Sequence, residues 1–145
     1  MKKIVTSALA ILMASSASLF AADSITKSEL PKRAQNFITT CFANDSISSI
    51  EKGRNRRGTE YEVEFANGAE LEFNDNGTWR KISAAPGSSL PPSFVPKYIA
   101  DYITQEYPGE YATKILKNAK GYEVEISSNH DLHFDLDERF VRVDR

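Results

Sequence analysis

Twice along the chain, apolar residues at helical spacing give way to stretches in which apolar and polar residues alternate. Leu30, Ala34, Phe37, Ile38 and Cys41 share one face of a helix, as do Val95, Ile99, Tyr102 and Ile103. Pro31 and Pro96 stand in the first turns, where a missing N–H leaves no helical bond unmade. After each helix the period falls to two. Strands are predicted near residues 47–52, 61–65, 69–73 and 79–82, with four counterparts in the second half.

The two halves match residue by residue. Leu30-Pro31, Phe37, Ile38, Phe42, Ile47 and Ile50 recur 65 positions on as Val95-Pro96, Tyr102, Ile103, Tyr107, Ala112 and Ile115. The offset then falls to 61, laying Tyr61-Glu62-Val63-Glu64-Phe65 over Tyr122-Glu123-Val124-Glu125-Ile126, and Trp79 over Phe140. The four extra residues of the first half fall between Glu51 and Glu60, where a hairpin tip would accept them. The expected organisation is a leader peptide at 1–22, one unit at 23–83, a Pro-, Gly- and Ser-containing linker at 84–94 and a second unit at 95–145. Each unit packs a helix on a four-stranded antiparallel sheet, giving an α+β fold.

Turn chemistry sets the register. A three-residue loop of Ala66, Asn67 and left-handed Gly68 opposes Val63 with Leu71 and Tyr61 with Phe73, keeping one face apolar. In the second half the left-handed place falls on Asn129, which tolerates it best after glycine. The other face then sets Glu64 against Glu70, Glu62 against Glu72, Glu125 against Asp131 and Glu123 against His133. Like charges directly across a ladder each cost a few tenths to about 1 kcal/mol, so something must offset them. Either Lys81 and Arg142 neutralise the face internally, or a cationic partner surface does so. On the second reading Trp79 and Phe140, sharing parity with Lys81 and Arg142, are aromatic anchors beside the acids.

Composition narrows the function. Lys2 and Lys3, the apolar stretch 4–14 and the small residues up to Ala21 and Ala22 form a secretory signal, cleaved after Ala21 or Ala22. Export to the periplasm follows, with no membrane attachment after cleavage. Without Lys2 and Lys3, 16 basic residues stand against 20 acidic ones, a formal charge of −4, which argues against nucleic acid as a partner. Cys41 is the one cysteine, so packing rather than disulfides must stabilise the chain, and its place on the apolar stripe predicts a buried, inert thiol.

No catalytic constellation is present: the serines lack a nucleophile elbow, and no glycine-rich phosphate loop occurs. The segment 129–137 could bring Asp131, His133, Asp135 and the opposed Glu123 together at most, which is a weak metal signature, and no cofactor is expected. Asn74-Asp75-Asn76-Gly77 reads as a turn rather than a calcium loop. Lys52, Arg54, Arg56 and Arg57 cluster in the longer hairpin, either as a solvated tip or as a docking patch for an acidic partner.

Leu-Pro before a helix, Phe42-Ala43-Asn44, Tyr61-Glu62-Val63-Glu64-Phe65, Asn67-Gly68, Glu70-Leu71-Glu72-Phe73, Gly77 and Trp79 together resemble the PepSY-like, beta-lactamase-inhibitor-like family. Tyr107-Pro108-Gly109 and Gly121-Tyr122-Glu123-Val124-Glu125 carry the resemblance through the second half, which departs from it where Asn129 and Glu138 replace glycines. The resemblance implies a secreted bacterial protein with one continuous sheet and its helices on one side. It also implies kinship with proteins that bind enzymes across such a sheet.

The expected function is thus a monomeric, non-enzymatic binding module for a protein partner, an inhibitor or regulator of an envelope or secreted enzyme. Its surface is Glu62, Glu64, Glu70, Glu72, Trp79 and Lys81, with Glu123, Glu125, Asp131, His133, Phe140 and Arg142 in the second half. The alternative is a small-ligand or cation binder using the same acidic face.

Overall fold

The computed structural model describes residues 22–145, so the expected leader, with its cleavage after Ala21 or Ala22, lies outside the described residues except for Ala22. Nine strands form one antiparallel sheet in strict chain order. They are β1 (Asp23–Ser24), β2 (Ile47–Asn55), β3 (Gly58–Phe65), β4 (Glu70–Asn74), β5 (Trp79–Ser83), β6 (Ala112–Asn118), β7 (Gly121–Ile126), β8 (Asp131–Phe134) and β9 (Phe140–Asp144). Helix α1 (Lys32–Cys41) precedes β2, and α2 (Lys97–Glu106) precedes β6. The α+β class and the continuous sheet match expectation. The sheet has one strand more than the eight predicted: β1 pairs with the outer edge of β2 through Asp23↔Lys52 and Ser24↔Glu51. Two exposed polar residues carry no alternation signal, so this strand was invisible to the hydrophobic pattern.

Apolar residues directly opposite one another make an unbroken row across the sheet: Ile50, Val63, Leu71, Ile82, Ile115, Val124 and Leu132. Ala34 and Ile38 of α1 and Ile99 and Ile103 of α2 are buried in the same cluster. Both helices therefore cover one face, and among the described residues the opposite face carries none. The core is continuous across the β5–β6 junction, where Ile82 opposes Ile115.

Segment 84–94 has the composition of a linker but is held at several points. The Ala84 and Leu90 amides donate to the Thr113 and Ala112 carbonyls, each at 2.8 Å, and Leu90 is buried. The Phe94 ring stacks on Phe42 at 5.7 Å, tying the segment to the end of α1. Cys41 corrects an expectation, because its thiol is exposed. It ends α1, and the next residue, Phe42, takes up the aromatic packing there by stacking on Phe65 at 5.0 Å.

The four additional residues of the first half do not swell a loop. β2 and β3 contain nine and eight residues against seven and six in β6 and β7, so each strand is longer by two. The pairs Arg54↔Thr59 and Asn55↔Gly58 continue the ladder beyond Glu60↔Asn74, the last pair that β3 makes with β4. The basic tip therefore overhangs the end of the sheet as paired structure.

Candidate functional site

The expected register is observed. Gly68 has φ of 90° and Asn129 of 62°, the Phe65 amide donates to the Ala69 carbonyl at 2.9 Å, and Glu62 opposes Glu72 while Glu64 opposes Glu70. Glu123 opposes His133 and Glu125 opposes Asp131. On the helix-free face one row runs Glu51, Glu62, Glu72, Lys81, Leu116, Glu123, His133 and Arg142. A second runs Ser49, Glu64, Glu70, Ser83, Lys114, Glu125, Asp131 and Asp144.

Lys81 organises the first half of this face. Its ammonium lies 3.0 Å from both Glu70 Oε2 and Glu72 Oε1, and its side chain is only 15% exposed. Burial, the largest single influence, pulls its pKa down, but Glu72 and Glu70 together outweigh it and leave the group above the ordinary lysine value. Glu62 is held above the usual carboxylate range, first by burial and then by Glu72, Glu70 and Glu64, with Lys81 opposing. Burial and Glu72 do the same to Glu60, although Arg80 lies 3.0 Å from it. Oxygens of Glu62, Glu64 and Glu70 all converge within 4.8 Å of one another. One cation thus serves a patch of four acids.

The second half is arranged differently. Lys114 pairs with Glu125 at 3.0 Å; burial pushes that carboxyl up, but Lys114 and Thr113 bring it below its ordinary value. His133 sits between Asp144, at 2.9 Å, and Glu123, at 3.8 Å. Arg142 turns to Asp144 at 3.3 Å rather than to the acids it was expected to neutralise. The grouping of Asp131, His133, Asp135 and Glu123 does not form, because Asp135 Oδ1 accepts the amides of Asp137 and Arg139 within its own turn. Asn74 closes the corresponding turn in the first half, its Oδ1 accepting the Thr78 amide at 2.9 Å.

Trp79 and Phe140 are not beside the acids. Trp79 opposes Phe73 and Phe140 opposes Phe134, both on the helix-covered face, because a bulge interrupts β4–β5 after Lys81 and β8–β9 after Arg142. Phe140 stacks on Tyr102 of α2 at 4.7 Å. An extra residue in a bulge reverses every side chain beyond it, which strict alternation counted back from Ile82 and Val143 did not allow for. A second count was available in the sequence. Counting outward from the Asn74–Gly77 turn places Trp79 opposite Phe73, and disagreement between the two counts is the mark of a bulge.

Replacing Glu62 by Gln is expected to stabilise the fold at about pH 7 by roughly 0.5–1 kcal/mol, by removing one member of a like-charged pair. A carboxyl held above its ordinary value is penalised only while ionised. The gain should therefore fade as pH falls through the glutamate range, vanishing near pH 3.5 or so. Urea melts at the two pH values check this, and an unchanged midpoint at neutral pH would refute it.

Over residues 59–142 the sequence matches the family described as "Putative beta-lactamase-inhibitor-like, PepSY-like". Among solved structures, a "putative calcium-regulated periplasmic protein" from Bacteroides thetaiotaomicron is 30% identical, with a TM-score of 0.80 over 86% of this chain and 97% of its own. A "putative periplasmic protein" of the DUF2874 family from Bacteroides vulgatus is 29% identical, with a TM-score of 0.80 and the same two coverages, 86% and 97%. Another periplasmic protein from that organism, of unknown function, is 29% identical, with a TM-score of 0.81 over 86% of this chain and all of its own. A comparison with curated proteins gives no match. No helix among the described residues is long and apolar enough to cross a membrane.

Proposed function

The chain belongs to the PepSY-like family, as its motifs implied, and from that premise we propose that it is a non-enzymatic periplasmic module that holds a protein partner against the helix-free face of its sheet. The observation that carries this reading is the pair of charged rows crossing eight strands on a face that neither helix covers. The family description favours a partner that is itself an envelope or secreted enzyme, restrained by surface complementarity rather than by chemistry. Recognition then falls to Glu62, Glu64, Glu70, Glu72 and Lys81, with Glu123, Glu125, Asp131, His133 and Arg142 beside them. Trp79 and Phe140 are excluded by their place on the other face.

Export is supported by the leader-like sequence and by the periplasmic descriptions of the similar structures. Mass spectrometry of the exported protein should find a mature chain beginning at Ala22 or Asp23. An uncleaved Met1 would overturn the leader assignment. We also propose that residues 23–83 and 95–145 are tandem units joined by 84–94. Left-handed Gly68 and Gly77 recur 61 residues on as left-handed Asn129 and Glu138, which supports the duplication.

The partner reading is tested by capture from an envelope extract, comparing the mature chain with a Glu64→Lys, Glu123→Lys variant whose fold is verified by circular dichroism. A partner retained equally by both would exclude the charged face. Convergence of Glu62, Glu64 and Glu70 favours a second reading, a cation-binding role, and one similar protein is described as calcium-regulated. Calorimetry with calcium separates the two. Stoichiometric binding lost in Glu62→Gln, Glu70→Gln, with no partner captured, supports the cation.

A further inference from the structure

The end of the sheet that carries the β2–β3, β4–β5 and β6–β7 turns contains a cleft of about 600 Å³. Its lining includes Arg57 from the overhanging hairpin, Trp79 and Arg80 from β5, and Lys117 and Lys120 around the β6–β7 turn. Four basic residues and the indole thus line one cleft in a protein whose acidic residues outnumber its basic ones. We infer that this cleft binds a small organic polyanion, with two or more carboxylate or phosphate groups on a flat apolar carrier.

Charge is the first argument. Glu60 pairs with Arg80 at 3.0 Å and also attracts Arg57, while Lys117 and Lys120 form no ion pair among the described residues. The Lys117 ammonium rests instead over the Tyr122 ring, 5.7 Å from its centroid. Gathering four cations around a concavity with one carboxylate between two of them costs free energy, and an anion seated among them removes that cost. Arg57 and Arg80 add the planar, two-pronged donor geometry that fits a carboxylate or phosphate.

The fold itself does not require these cations. Sixty-one residues beyond Arg80, the same bulge position in the second half is occupied by Val141. Arg57 reaches the cleft from the hairpin whose strands are each two residues longer than their counterparts. The basic tip, solvated or docking on sequence grounds, borders the cleft through this residue. The volume exceeds what a lone phosphate fills and suits a ligand with a body, for which the Trp79 ring supplies an apolar surface.

Trp79 is the only tryptophan of the chain, so its fluorescence reports the site directly. The mature protein is titrated with benzene-1,3,5-tricarboxylate, with inorganic pyrophosphate, and with the uncharged trimethyl ester of the first. Saturable change is expected with the tricarboxylate at or below about 1 mM, weakening as salt is added. Pyrophosphate should compete with it if phosphate is accepted as well; failure to compete narrows the ligand to carboxylates. Affinity should fall about tenfold or more in Lys117→Glu, Lys120→Glu, which alters one exposed residue near the end of β6 and one exposed turn residue, and several-fold in Arg57→Ala. No saturable change, equal affinity in the charge-reversed variant, or equal binding of the ester would overturn the assignment.

Discussion

Ile115→Ala is expected to lower stability by about 3 kcal/mol and the melting temperature by roughly 10 °C, in a single transition for the whole chain. Ile115 is fully buried, opposing Ile82 on one side and Val124 on the other, so truncation leaves a cavity where the two halves meet. The held segment 84–94 and the row of core residues from Ile50 to Leu132 give neither half an independent interior. Trp79 fluorescence follows the first half, and far-ultraviolet circular dichroism follows both. Coincident, equally shifted curves are the expected result. A fluorescence transition left in place while the dichroism signal splits would mean that the halves unfold separately.

Lys81→Met should cost about 2–3 kcal/mol at neutral pH, because it leaves Glu70 and Glu72 without the ammonium that both contact. Its pH dependence identifies the cause. Without Lys81 the Glu62 carboxyl, already held above its ordinary value, loses the cation that opposes this, and since it is penalised only while ionised the deficit should shrink as pH falls through the glutamate range. At the alkaline end the sign reverses for the parent protein. A lysine held above its ordinary pKa contributes stability that is complete below that value and lost as pH rises through the folded one. The difference between parent and variant should therefore be widest between these limits. A deficit unchanged in acid would assign the loss to packing of the lysine stem.

Much of this arrangement was legible in the sequence, and the exceptions have identifiable causes. Helices, strands and the acidic pairs followed from periodicity and from Gly68, because a left-handed turn residue fixes which side chains face each other. The positions of Trp79 and Phe140 did not follow, since alternation contains no term for a bulge, although the count outward from the turn pointed to it. The exposure of Cys41 was misjudged because a helical wheel shows which face a residue occupies, not whether the sheet extends beneath it. The basic cleft could not be read at all. Its residues come from β2–β3, β5 and β6–β7, and only the ordered junction brings them together.

A nine-stranded open sheet is also a coiled one. Neighbouring strands rotate by about 20–25° on average, so the eight steps from β1 to β9 accumulate on the order of 160–200°. At that average twist, the three to four steps from β5, which carries Lys81, to β8 and β9, which carry His133 and Asp144, turn the helix-free face by roughly 60–100°. A rigid, flat partner could meet one end or the other, but not both together. A ligand that did engage both would have to wrap, as an extended chain does, and its footprint would follow the diagonal of the twisted face rather than any single strand.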